Sequence, residues 1–346
     1  MTAWKKHTLL FLIFAMLGYP LLYYAYKFGT PAFGGLDVFS YNKLYENWDF
    51  AHVDSPFNQR IISSYIIHLM YKSGVHYPTE TAIAAFKIQP AVYFSALLFN
   101  FLCVITTCVV IYRTAEKFLK TQPLLSFIAG ALFLFGFGSI NFLITALSDA
   151  LSVLMVAGIF YFFLGKSKWQ YLILLLAVFQ REYIFFVFGL IAALHWISEK
   201  QERRYYAMVF VANVACFLLY FIGRKTIFFT PRYVHQISFG KMISNIALSI
   251  QDIGAYVRQT FFIQNLLLIY FGLLIYKWRK KMPTTRLHFL VIIALLAEIV
   301  VLSLLTRLGN NTGRYFYMVA PLIVFYTLWE LLPFFRSSSP VKDERG

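Results

Sequence analysis

Apolar runs of close to twenty residues recur from one end of this chain to the other, and a run of that length matches the hydrocarbon core of a bilayer, about 30 Å thick. Ten stand out, at 8–26, 88–112, 123–138, 141–164, 169–179, 183–198, 205–222, 261–276, 287–306 and 315–332. The expected fold is therefore all-α, a polytopic membrane protein of about ten transmembrane helices forming one integral membrane domain over residues 1–346. Composition excludes the alternatives. Hydrophobic residues make up 60% of the chain and charged ones 13%, against roughly 45–50% and 25% in soluble proteins. No long polar half is present, which argues against one anchor carrying a globular enzyme.

The basic excess, 31 Lys+Arg against 15 Asp+Glu for a net charge of +16, would raise the question of nucleic acid in a soluble protein. Cytoplasmic loops of membrane proteins collect Lys and Arg, which explains the excess without a polyanionic partner. With the N-terminus inside, the cytoplasmic segments carry 18 Lys/Arg in 51 residues and the outer ones 13 in 110. Both termini are thus expected in the cytoplasm, with 336–346 a short cytoplasmic tail. The first run follows Trp4-Lys5-Lys6 and contains Tyr19-Pro20, so it reads as a signal anchor. Cys103, Cys108 and Cys216 lie in apolar runs without metal-ligand or disulfide spacing and read as packing residues.

Two outer loops, 27–87 and 223–260, exceed the length of a helix connection and should carry structure or function of their own. In the first, Tyr41, Tyr45 and Trp48 follow Asp37 at helical spacing, and such an aromatic face suits a helix in the headgroup layer. Asp37 has two readings: an N-cap for that helix, or a general base that takes a proton from an acceptor hydroxyl. Further on, Ser55 suits an N-cap and Pro56 a first helical position. The periodicity then gives a second amphipathic interfacial helix with Ile61, Ile62, Tyr65, Ile66, Leu69 and Met70 on one face and Arg60, Ser64 and His68 on the other.

Charge inside or beside a span is costly and marks a functional candidate. Asp149 falls toward the outer end of the fourth run, Arg181-Glu182 tips the short hairpin of the fifth and sixth, Arg307 and Arg314 flank an outer turn, and Glu298 lies mid-span. The bland alternative for Arg181-Glu182 is a salt bridge closing a buried turn. Arginine forks bind phosphate oxygens bidentately, while carboxylates activate hydroxyls or hold a divalent metal. The mixture suits an outward-facing site for a lipid phosphate and a sugar-like acceptor, with a divalent metal the one cofactor these residues suggest.

The order Asp37 with Tyr41, Pro56-Phe57 with Arg60, Ser148-Asp149-Ala150-Leu151, Arg181-Glu182, and Arg314-Tyr315 before Pro321 resembles bacterial membrane proteins of the GT-C glycosyltransferase superfold. The likeness spans nearly the whole chain as a pattern of order and topology. It implies transfer of a sugar from a polyprenyl-phosphate donor to a glycan, lipid or protein acceptor at the outer face of the cytoplasmic membrane. Asp37 would then be catalytic, Arg60, Arg181, Arg307 and Arg314 would bind the donor phosphate, and Tyr41, Asp149 and Glu182 would line the site. Unlike the better-defined members, no Asp-Asp or Glu-Asp pair follows the first run. A surface-polysaccharide polymerase would also use outer arginines on such a scaffold. A flippase or transporter of lipid-linked saccharides often shows two related halves, and no internal repeat of runs is visible here.

Overall fold

The computed structural model describes residues 3–29, 36–53, 57–77, 88–228, 239–254, 265–282, 291, 294 and 317–336, and every regular element among them is helical. In chain order these are α1 (Ala3–Phe28), α2 (Leu36–Asn47), α3 (Ile61–Lys72), α4 (Pro90–Phe118), α5 (Pro123–Leu134), α6 (Asp149–Leu164), α7 (Trp169–Ala177), α8 (Tyr183–Ser198), α9 (Arg203–Thr226), α10 (Phe239–Gln251), α11 (Asn265–Arg279) and α12 (Ala320–Arg336). Four helical stretches, Trp4–Phe28, Pro90–Phe118, Lys200–Thr226 and Tyr317–Phe335, are long and apolar enough to cross a membrane. The chain is an all-helical membrane protein. Nine of the ten expected runs contain a described helix, several of them shorter than a span, and 287–306 lies almost wholly outside the described residues.

Proline sets two of the helix starts. Pro90 and Pro123 each occupy the first turn after an extended residue, Gln89 and Gln122, where the missing N–H costs no helical bond. α4 packs against α1, α3, α5, α6 and α12 and is the central element. In its most apolar stretch 78% of residues are buried, against 22% for the α9 stretch, whose outward Val211, Leu218 and Ile222 suit contact with lipid. Thr106, Thr107 and Thr114 turn their hydroxyls back onto carbonyls four residues earlier, so α4 carries polar side chains without leaving them unpaired.

The first loop differs from its sequence reading in which way its helices face. Ser63, Ser64 and Ile67 of α3 are buried together with Arg60, while Tyr65 and Leu69 are exposed, so the polar stripe turns inward. α3 begins at Ile61, after a single 3-10 turn at Phe57–Gln59, rather than at Pro56, which lies with Ser55 outside the described residues. Tyr41 and Tyr45 of α2 are likewise buried and stack on each other with centroids 5.8 Å apart, rather than lying in a headgroup layer. Asp37 falls inside the first turn of α2 and not before it, which removes the N-cap position from it. Trp48 closes α2 in the left-handed region (φ 55°), its N–H bonded to Leu44 O at 3.1 Å. His68 Nδ1 donates to the Tyr45 carbonyl at 2.9 Å, tying α3 to the end of α2. α10 repeats the inversion, with Asn245 buried and Ile243 and Ile250 exposed. Outward apolar faces are what an apolar solvent selects.

Between α5 and α6 the expected fourth span is interrupted. A π-helical turn at Ser139–Leu143 is followed by irregular chain at 144–148, and α6 starts only at Asp149. Gly136 and Gly138 make this junction possible because the Tyr317 ring lies directly on them, where no side chain would fit. The ring also stacks on Phe133, and its hydroxyl shares a 2.9 Å hydrogen bond with Ser139 Oγ. Gly138→Ala should destabilise the protein by about 1–3 kcal/mol through overpacking. In a Tyr317→Ala background the same change should cost little, which a double-mutant cycle on thermal unfolding in detergent will read.

Candidate functional site

The interruption before α6 delivers Ser148 and Asp149 to the protein interior. Asp149 is the first residue of α6, where the positive end of the helix dipole favours a carboxylate. Arg181 stands in the turn between α7 and α8, its N–H bonded to Ala177 O. The two side chains form an ion pair with essentially no solvent exposure. Each ion is stabilised by the other in a place that water does not reach.

Beside this pair lies a second cation. Arg60 occupies the residue before α3, and its guanidinium carbon lies 5.4 Å from the centroid of the Tyr41 ring and 5.5 Å from that of Phe57. Two aromatic faces at this range hold a cation by its attraction to their π electrons. Arg60 Nη1 donates to Ser148 Oγ at 3.4 Å, and the Ser148 hydroxyl donates to Tyr41 Oη at 3.0 Å. Arg60 Nε is buried without an acceptor among the described residues, as is the hydroxyl of Ser64 one turn further on. No described carboxylate comes within ion-pair distance of Arg60.

Glu182 is near enough to feel both arginines. Burial opposes ionisation of its carboxyl, but the charges of Arg60 and Arg181 outweigh it, and together with a 2.7 Å hydrogen bond from Tyr220 they hold the group below the ordinary carboxylate range. Two buried amides bind the cluster together. Gln180 Nε2 donates to the Ser148 carbonyl at 2.9 Å while its Oε1 accepts from the Ser63 N–H, and Gln59 Nε2 donates to the Tyr220 carbonyl at 3.0 Å. α3, α6, the α7–α8 turn and α9 therefore meet at one polar centre.

Of the residues singled out from sequence, the structure brings Tyr41, Arg60, Asp149, Arg181 and Glu182 together. The backbone of Asp37 stands four residues before Tyr41, one turn along α2, and its side chain is outside the described atoms. Arg307, Arg314 and Glu298 also lie outside the described residues. Ser148, Gln180, Tyr220 and Phe57 belong to the cluster without having been assigned a role there. Ser148 and Gln180 each adjoin a charged candidate, which is a usable signal, whereas nothing distinguishes Tyr220 from the other span tyrosines. An open, wet cavity is not what surrounds these groups: Arg60, Asp149 and Arg181 are buried against one another.

The cluster sets two arginines against two carboxylates and leaves one arginine donor unspent among the described residues. Arg60 has a free donor edge, while Asp149 is committed to Arg181 and Glu182 to Tyr220. Among the described residues no three His, Cys, Asp or Glu side chains gather where they could hold a metal ion. No model of a known protein family matches the chain, and no curated protein matches it either.

Arg181→Met or Asp149→Leu alone should destabilise the protein by about 3–5 kcal/mol by leaving one buried charge uncompensated, and the double change should recover most of that loss in thermal unfolding. Because the Glu182 carboxyl is depressed in the folded state, its contribution is complete above the ordinary carboxylate range and disappears as pH falls through the depressed value. Tyr220→Phe removes one cause of the depression, so its acid-unfolding midpoint should move to higher pH than that of the unaltered protein.

Proposed function

We propose that this chain is a glycosyltransferase of GT-C type that moves a sugar from a polyprenyl-phosphate donor to an acceptor at the outer face of a bacterial cytoplasmic membrane. In this reading the protein has ten spans with both termini cytoplasmic, and the end of the bundle holding Arg60, Asp149 and Arg181 faces outward. The Lys166–Glu202 and His195–Glu199 pairs, at and beyond the other end of α8, then lie on the cytoplasmic side, where basic loops are expected.

One observation carries the reading: Arg60 is a buried cation held by two rings, with an Nε–H that has no partner among the described residues. A guanidinium so held recognises the planar pair of oxygens of a phosphate or carboxylate. Arg181 is a weaker candidate because Asp149 already neutralises it. A narrow apolar crevice of about 30 Å³ lies between α8, α11 and α12, lined by Val187, Ile191, Tyr270, Leu322 and Ile323, and an isoprenoid chain would have to widen it to enter.

The chemistry follows from the charges. Asp37 takes the proton of an acceptor hydroxyl, whose oxygen attacks the anomeric carbon of the donor sugar. The bond from that carbon to the phosphate oxygen breaks with its electron pair, and the polyprenyl phosphate leaves with inverted configuration at the sugar. Arg60 stabilises the charge that grows on the departing phosphate.

Asp37→Asn should abolish turnover while expression and folding persist, and Arg60→Gln should weaken undecaprenyl-phosphate binding by about ten- to a hundredfold, the usual worth of a charged hydrogen bond. Cells lacking the protein should accumulate a polyprenyl-phosphate sugar and lose a decoration from a surface polymer. Unpolymerised lipid-linked repeats in its place would make the protein a polymerase, and full activity in the Asn variant would remove Asp37 from the mechanism.

A further inference from the structure

Four consecutive carbonyls at the break before α6 are each taken by a side chain from elsewhere in the fold. Asn100 of α4 donates through Nδ2 to the carbonyls of Thr145 and Leu147, the second at 2.5 Å. Tyr45 of α2 donates its hydroxyl to the Ala146 carbonyl at 3.4 Å, and Gln180 supplies the bond to Ser148 O described above. Thr145, Ala146, Leu147 and Ser148 are all buried, as are Asn100, Tyr45 and Gln180. Irregular backbone at this depth persists only where the protein itself satisfies it. These donors are therefore what allows the chain to stay unwound for the residues that precede Ser148 and Asp149.

Asn100 has the demanding part. An amide nitrogen carries two protons and can serve two carbonyls, whereas a hydroxyl has one proton and a carboxylate none. The reverse orientation of the amide would set its oxygen against both carbonyl oxygens. Asn100 Oδ1 has no hydrogen-bond partner among the described residues, so the side chain is held by its donors alone.

We propose that Asn100 is a positioning residue: by clamping the Thr145 and Leu147 carbonyls it fixes the unwound segment that holds Ser148 against Arg60 and Asp149 against Arg181. The proposal rests on the reading of the Arg60 cluster as an anion site. It is independent of the sugar and acceptor. Asn100 itself touches none of the groups that would meet a substrate in that reading.

The test is hydrogen exchange and ligand binding on the full-length protein in lipid nanodiscs, with undecaprenyl phosphate as the probe. Three variants are compared: Asn100→Leu, which keeps the volume and loses both donors; Tyr45→Phe, which loses only the Ala146 bond; and Thr107→Val, which removes a buried hydroxyl bonded within α4 itself. Asn100→Leu should raise exchange in the 144–152 segment about tenfold and weaken the probe by a similar factor, Tyr45→Phe should do both to a smaller extent, and Thr107→Val should do neither. If Asn100→Leu does not fold, Tyr45→Phe decides the matter. Unchanged exchange at 144–152 in a folded variant overturns the clamp. Faster exchange with undiminished probe binding, where Arg60→Gln does weaken binding, overturns the positioning role and leaves the site reading intact. If Arg60→Gln also leaves binding unchanged, the site reading fails, and the exchange result alone judges the clamp.

Discussion

A charge sealed away from water must find its counter-charge inside the protein, and the Asp149–Arg181 pair shows how much structure that demand organises. The carboxylate needs a helix start at Asp149, so the chain must stop being helical just before it. The guanidinium needs the α7–α8 turn brought alongside, and Gln180 in that turn bonds the Ser148 carbonyl as Arg181 meets Asp149. Once the two ends are joined, the N-terminal side of α3 docks against them through Ser63, Gln59 and the main chain of Ile62. Arg60 arrives with it, facing a site whose other arginine is already paired with a carboxylate.

The same demand explains why the short helices look inside out. In water, α3 would bury Tyr65 and Leu69 and expose Ser64; here the reverse holds, because the surrounding solvent is apolar and the scarce polar partners are inside. Hydroxyl and amide side chains then act as main-chain caps instead of surface groups. Asn100, Tyr45 and Gln180 do so for the break before α6, and Gln59 for the carbonyls of Val178 and Tyr220. An unpaired carbonyl in such a place costs roughly 2–7 kcal/mol, so these neutral residues weigh as much in the architecture as the ions do.

Part of the polar centre was legible without coordinates. Arg60, Asp149 and Arg181-Glu182 interrupt or border apolar sequence, and charge in such a setting is expensive enough to draw notice on its own. Tyr41 was legible through its helical spacing from Asp37 and Tyr45, although not the direction it faces. Ser148 and Gln180 were legible only as neighbours of charged candidates, and Asn100 and Tyr220 not at all, because neutral polar residues are tolerated within spans and the partners of these four lie 28 to 117 residues away in sequence. The break at 139–148 was hidden for a related reason. Its residues are as apolar as a span, and hydropathy registers composition without registering whether the main chain is helical.

Sequence by itself determined that this chain is helical and belongs in a bilayer, since runs of apolar residues about one membrane thick have few other ways to satisfy their backbone. It also determined which charged residues had to be accommodated. Tertiary structure alone decided that Asp149 and Arg181 pair with each other, that Arg60 is held between two rings, and that the polar stripe of α3 turns inward. These depend on distances between helices remote in sequence, and the energy of a charge or a hydrogen bond in an apolar interior is set by what lies within a few ångströms of it.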